Sequence, residues 1–329
     1  MQAESTATAG SFRAGGLVLS LFAAPLNVPI LRAHADGPLR FADLRERVGG
    51  PAQTTLRGHV ANLRGIGALV KRERGGMPYA VENELTAAGS ALLSVANTIE
   101  AWLTRAPRGP IALGSVPAKA AIRALIGGWG STMLHALVTR PLSLTELDGL
   151  IEGLSYHAVE RRLSAMRAAR QVERLPEQGQ STPYAVTDWA RQAVAPLAVA
   201  GRCECRHIEG ETEPPTGLDI EAVFLLAVPL ASLPEDASGP CLLGVDTGAV
   251  DAVEGERRLA GVRVGVDRGR VATCVSRLEE EPRTWAVGTV ESWLDAIIDR
   301  QLDRLRIGGA DAELAQELVG AIHDALFLE

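Results

Sequence analysis

Cysteine is scarce in this 329-residue chain: four thiols are too few for a disulfide scaffold and suit a reducing compartment. No stretch approaches the roughly 20 apolar residues of a membrane span. The apolar segment from Leu17 to Leu31 fails as a signal-peptide core, because Pro25 and Pro29 interrupt it and its second half realigns with an internal stretch. A cytoplasmic chain without membrane contact is expected. Catalytic constellations are missing too. The histidines (His34, His59, His135, His157, His207 and His323) are scattered, and there is no G-x-S-x-G elbow, phosphate-binding P-loop or H-E-x-x-H pair. Gly127-Gly-Trp-Gly130 follows no convincing strand and reads as a helix break; Glu279-Glu280-Glu281 reads as a solvated turn. Cys203-Glu-Cys205-Arg-His207 offers three metal-ligand types, but C-x-C is not a common zinc spacing and no fourth ligand is near. No enzyme, cofactor or metal site is expected.

What is present is a repeat. Ile30 to Leu44 realigns on Met133 to Leu147 at an offset of 103, and Pro78-Tyr-Ala-Val81 recurs at Pro183-Tyr-Ala-Val186 at an offset of 105. A period near a hundred residues is too long for a solenoid unit, so each copy should bury its own core or pair with the other as an internal pseudo-dimer. Homodimerisation of the chain is a further possibility.

Within the first copy, a helix is expected from about Leu17 to His34. A short helix follows, with Phe41, Leu44 and Val48 on one face, then a turn at Gly49-Gly50-Pro51, then a helix with Leu56, Val60 and Leu63 at spacings of four and three. A hairpin closes the unit, with Leu69-Val70 and Tyr79-Ala80-Val81 as strands around the tip KRERGGMP, where Gly75-Gly76 supplies positive φ. This order reads as a winged helix-turn-helix. Its Lys71, Arg72 and Arg74 are placed to meet phosphate.

These residues resemble the HxlR family of bacterial winged-helix transcriptional regulators, through the IL…L…G..RF.EL run in both copies, Trp129-Gly-Ser-Thr-Met-Leu134 at the family's Trp position, Tyr184-Ala-Val-Thr187 after the second wing, and Leu85-Thr-Ala-Ala-Gly89 after the first. Copy one has Leu26 where the family has Trp. The resemblance covers about two-thirds of the chain and implies double-stranded DNA as partner. Regulators of this type can sense electrophiles through a cysteine near the first helix, but this chain has none before Cys203, so that mechanism does not carry over.

Charge separates the copies. Residues 1–110 carry twelve Lys/Arg against eight Asp/Glu, residues 111–216 eleven against eleven, and residues 217–329 ten against twenty-one. A net charge of −7 does not oppose DNA binding, since the local basic footprint within a Debye length of ~8–10 Å is what counts. At the 103 offset Arg57 becomes Glu160, a carboxylate that phosphate repels. Copy one is therefore expected to read DNA with Gln53, Thr54, Arg57, His59, Lys71, Arg72 and Arg74, while copy two is structural or weakly contacting.

After the acidic, Pro-containing linker HIEGETEPPTG a third unit begins. Strands are expected at Ala222–Leu230, Cys241–Asp246, Gly261–Val266, Val271–Leu278 and Thr284–Val287, with Asp267-Arg-Gly-Arg270 as a hairpin turn. Two amphipathic helices follow, Val290 to about Leu305 and Ala312 to Leu326. The stretch from Thr289 to Ile322 resembles the closing helices of the sterol carrier protein type two superfamily, which implies a tunnel for a hydrophobic small molecule. Phe224, Leu226, Trp285, Trp293 and Ile297 would line it, or else fill an ordinary core.

The expected fold is mainly α with α+β: a winged helix-turn-helix domain at 1–110, a divergent second one at 111–208, a linker at 209–216, and a sterol-carrier-like α+β effector domain at 217–329. The expected function is a DNA-binding transcriptional regulator whose C-terminal domain senses a hydrophobic molecule. The alternative is a non-DNA scaffold or hydrophobic-molecule carrier that uses its winged helices for protein contacts.

Overall fold

The computed structural model describes residues 15–74, 80–129, 133–151, 153–176, 182–208, 216–250, 257–276 and 283–328. The wing tip at Gly75-Gly76, the Tyr79 end of the first repeat motif, Gly130, most of the linker, and Glu279-Glu280-Glu281 lie outside them.

The single opening helix expected over Leu17–His34 is two: α1 (Gly16–Phe22) and α2 (Asn27–Ala35), bent by 90°. Pro25 sits in the break, where its missing N–H and its ring end a helix, while Pro29 falls in the first turn of α2, where no intrahelical N–H bond is lost. Both ends of α1 find buried partners. Glu204 accepts from Gly15 N and Val18 N at the start of α1, each at 2.7 Å, and Asn27 Nδ2 donates to Leu21 O at its end, 2.8 Å. No single helix among the described residues is long and apolar enough to cross a membrane.

The chain then forms β1 (Leu39–Arg40), α3 (Phe41–Arg47), α4 (Gln53–Gly65), β2 (Leu69–Arg74), β3 (Ala80–Leu85) and α5 (Ala87–Thr104). Gly49 and Gly50 turn α3 into α4 with φ of 86° and 69°. Leu44 of α3 and Leu56, Val60 and Leu63 of α4 are buried, and Phe41 and Val48 are half-buried against them, as the spacing predicts. The sheet order is β1-β3-β2, all antiparallel. Its β2 is longer than expected, so Lys71 and Arg72 lie in the strand, opposite Asn83 and Glu82, and not at the tip. Thr86 caps α5, accepting from Gly89 N at 3.1 Å while donating to Gly67 O at 2.6 Å. A Cβ on Gly89 would overlap the Ala68 carbonyl oxygen, so the Thr-x-x-Gly pattern records a close approach of α5 to the start of β2.

The next elements are α6 (Val116–Trp129), α7 (Met133–Thr139), α8 (Leu144–Leu150), α9 (Tyr156–Ala168), β4 (Val172–Arg174), β5 (Tyr184–Val186), α10 (Asp188–Gln192) and α11 (Val194–His207). The ranges of α8 and α9 equal those of α3 and α4 advanced by 103. Thr187 caps α10 as Thr86 caps α5, accepting from Ala190 N and donating to Arg170 O. Arg170 even keeps the left-handed backbone of Gly67, at φ 63° against 76°. The two stretches differ at their ends, where α10 and α11 stand in place of the single helix α5. The two halves meet through Trp102 of α5 and Trp189 of α10, stacked at 4.6 Å, each indole N–H donating to the other's carbonyl at 2.8 and 2.9 Å.

The third unit holds the clearest departure from expectation. Ala222–Leu230, expected as a strand, is α12 (Gly217–Ala227) followed by a 3₁₀ turn at Val228–Leu230. A continuous apolar run does not tell buried strand from buried helix, and the decision here comes from Thr216 and Asp219, which form a capping box. From Ile220 to Ala227 α12 is apolar but for Glu221, and these residues are buried throughout, among α7, α10 and the sheet beyond. That sheet comprises β6 (Gly239–Val250), β7 (Arg257–Asp267), β8 (Arg270–Val275), β9 (Thr284–Gly288) and β10 (Arg306–Gly309) in the order β10-β9-β6-β7-β8, with only β6 and β9 parallel. The Asp267–Arg270 turn is as expected, Arg268 and Gly269 both having positive φ. Helix α13 (Val290–Asp299) ends six residues before the expected Leu305, because Arg300 turns left-handed at φ 58° and β10 must follow to pair with β9. The chain closes on α14 (Ala312–Phe327), capped by Asp311.

Candidate nucleic-acid interface

A helix that buries Leu56, Val60 and Leu63 presents the opposite meridian outward, and at 100° per residue that meridian runs through Thr54, Gly58, Ala61 and Gly65. All four are exposed, with Thr55 and Asn62 beside them and Arg57 and Arg64 on the flank. The face is short-chained, so the α4 backbone can approach a partner closely. Packing requires neither glycine on it, because an added Cβ at Gly58 or Gly65 would meet nothing within 4 Å. Arg57 is held by its own fold: its guanidinium lies over the Phe41 ring of α3, 5.4 Å from the centroid. Neither Arg57 nor Arg64 has a carboxylate partner among the described residues.

Gln53 and Thr54 are exposed at the N-terminus of α4 beside Arg57, so those three expected contacts share one surface. His59 does not join them. It is half-buried, and its Nδ1 lies 2.7 Å from Oδ1 of the buried Asn27, which ties α4 to α2. Lys71 and Arg72 are exposed but already paired, Lys71 with Glu73 at 3.2 Å and Arg72 with Glu84 at 2.9 Å. Arg74 is the last residue of β2, and its side chain lies outside the described part. Arg40 and Arg47 are matched in the same way by Glu82 and Asp36. Thr55, Asn62 and Arg64 were not singled out from sequence, although rotation from the apolar stripe places Thr55 and Asn62 near the outward meridian and Arg64 on its flank.

Beneath the helices His34 is buried, with Nδ1 2.8 Å from Ile30 O and Nε2 without a partner. Burial pushes its pKa down, and the nearby Arg47 charge adds to this, against the backbone bond that raises it. The Cys203–His207 cluster is spread around α11: Cys203 is buried, its thiol pushed up to about 12 by burial, whereas Cys205 is exposed. No group of His, Cys, Asp and Glu among the described residues is arranged to hold a metal ion.

Residues 26–108 match the HxlR-like helix-turn-helix family. The matched stretch begins at the bend before α2 and ends just past α5, so the HxlR-like segment contains α3, α4 and the β2–β3 wing whole. It points to a DNA-binding transcriptional regulator. No curated protein matches the chain.

Proposed function

We propose that this chain is a sequence-specific DNA-binding regulator with α4 as its reading helix. The observation that carries the reading is the outward face of α4 within the HxlR-like segment: small and polar along its meridian, flanked by two guanidinium groups with no carboxylate partner among the described residues. Gln53, Thr54 and Arg57 face bases in the major groove, with Thr55 and Asn62 alongside. Lys71, Arg72 and Arg74 meet phosphates, Lys71 and Arg72 by exchanging Glu73 and Glu84 for the backbone. His59 acts from behind, fixing α4 on α2.

The second set of elements is a diverged copy of the same winged helix, a reading supported by the coincident ranges of α8 and α9 and by the repeated threonine cap. Glu160, exposed where Arg57 stands in copy one, makes it the structural partner in an internal pseudo-dimer joined at Trp102 and Trp189. The third unit is an effector domain of sterol-carrier type. Of its proposed lining, Phe224, Leu226, Trp293 and Ile297 are fully buried, with Phe224 edge-on to Trp293 at 4.6 Å, and Trp285 is half-buried. A hydrophobic ligand among them must displace packed side chains, so its binding would change the sheet–helix packing.

The test is a mobility-shift titration of the full chain with duplex fragments from beside its own gene, at several salt concentrations. A shift that weakens steeply with salt and is lost in Arg57→Ala is expected. Absence of binding, or equal binding by Arg57→Ala on every fragment, overturns the reading in favour of a protein-contact scaffold.

A further inference from the structure

A cleft of about 1180 Å³ opens between α6, α9 and the connection at 106–111. Its two helical walls are stripes of minimal side chains. Ala120, Ala121, Ala124 and Gly127 lie on α6, and Ala165 and Ala168 on α9. Larger residues there would fill the space between the helices; these leave it open, with the edge of the Trp102–Trp189 stack reached through Trp189. Around this apolar floor stand Arg108, Arg123, Arg161, Arg162 and Arg170, and no aspartate or glutamate among the described residues lines the cleft. None of the five arginines has an ion-pair partner among the described residues. In the first winged unit Arg32, Arg40, Arg47, Lys71 and Arg72 are matched by carboxylates, whereas Arg57 and Arg64 of α4 are not, among the described residues.

Uncompensated guanidinium groups around a concave apolar floor call for a partner with two parts, an anionic head and an apolar body. We propose that this cleft binds an amphipathic organic anion, a carboxylate or sulfonate on an aromatic or acyl body. Arg123 and Arg162, one from each wall, take the head, while Ala121, Ala124, Ala165 and Trp189 cover the body. Nucleic acid fits the floor poorly, because a hydrated phosphate backbone gains nothing from alanine and proline walls. The site lies in the second set of elements and does not depend on α4 reading DNA.

The experiment uses the full chain with two fluorescent probes of one shape, the anionic 8-anilinonaphthalene-1-sulfonate and the neutral N-phenyl-1-naphthylamine. Arg123→Gln/Arg162→Gln removes the head contacts without breaking any ion pair, and Ala165→Phe fills the cleft from an exposed position. In wild type the anion should occupy one saturable site. In the arginine variant, at unchanged melting temperature, its Kd should rise roughly tenfold or more, while the neutral probe is little affected. Ala165→Phe should abolish both. Equal anion binding by wild type and the arginine variant overturns the proposal. So does a duplex oligonucleotide that displaces the anion and itself loses binding in the arginine variant, since the cleft would then be a nucleic-acid surface.

Discussion

At the scale of single residues, the decisive contacts are those that a periodicity argument reaches only halfway. The apolar stripe of α4 is readable from spacing alone, and Arg57 follows from it. The inward turn of His59 does not, because its partner Asn27 is placed by the bend at Pro25. The pairing of Arg72 with Glu84 was equally hidden, since it is diagonal across a register in which Arg72 faces Glu82. Arg57→Ala should cost about 1–3 kcal/mol of DNA affinity and relax base preference, whereas Arg72→Ala should weaken all sequences alike. Competition shifts with single-base variants of the site separate the two; identical profiles would refute the division of labour. Gly58 gives a sharper case, as a mid-helix glycine that packing does not require. Gly58→Ala should raise stability by about 0.5–1 kcal/mol in denaturant titration. Gly58→Glu should keep the fold and lose DNA binding, as an added carboxylate on the outward meridian of α4 repels phosphate.

Elements were legible where a local chemical signal agreed with the pattern. Helices α3 and α4 have a glycine turn between two matched stripes, and the β7–β8 turn has its Arg-Gly pair. The apolar run before Leu230 had no alternation to distinguish its two readings, and its helical outcome depended on the Thr216–Asp219 box just upstream. The second such box starts α8. Ser143 N and Oγ both donate to Glu146 at 2.8 Å, as does Arg140, and these bonds, the backbone one foremost, hold the Glu146 carboxyl down at about 2. A carboxyl whose folded pKa lies below its unfolded value of 4.5 stabilises the fold above pH 4.5, and that contribution disappears as pH falls through about 2. The melting temperature of Glu146→Gln should therefore sit below wild type by a constant margin from pH 7 to about 4.5, and the gap should close toward pH 2. A gap that persists undiminished at pH 2 would mean that the charge of Glu146 plays no part in the cap.

For the whole molecule, net charge along the sequence suggested an acidic third unit beside a basic reader, but folding uses much of that charge in contacts. Arg202 and Arg206 of α11 reach across to Asp295 of α13, Arg202 also to Asp299 and Arg206 also to Glu291, and Arg304 closes on Asp295 at 2.8 Å. Asp295 is 3% exposed and serves three arginines. The hydrophobic core is likewise one connected cluster from Val18 to Leu326, so the second and third units share packing and charge and should unfold together. This coupling was invisible in sequence, because Arg202 and Asp295 are 93 residues apart and no local pattern pairs them. Asp295→Ala would leave three guanidinium groups around a buried site without their shared carboxylate. A loss of about 1–3 kcal/mol is expected, between the values for exposed and buried pairs, because Arg202, Arg206 and Arg304 are 19%, 37% and 51% exposed. Adding Arg202→Gln and Arg206→Gln to that variant should recover part of the loss, since the uncompensated charge is then gone. Chemical denaturation followed by calorimetry reads both effects. A cost near that of an exposed ion pair, below about 1 kcal/mol, or a triple variant no better than Asp295→Ala, would show that the third unit is held to the rest by apolar packing through α12 alone.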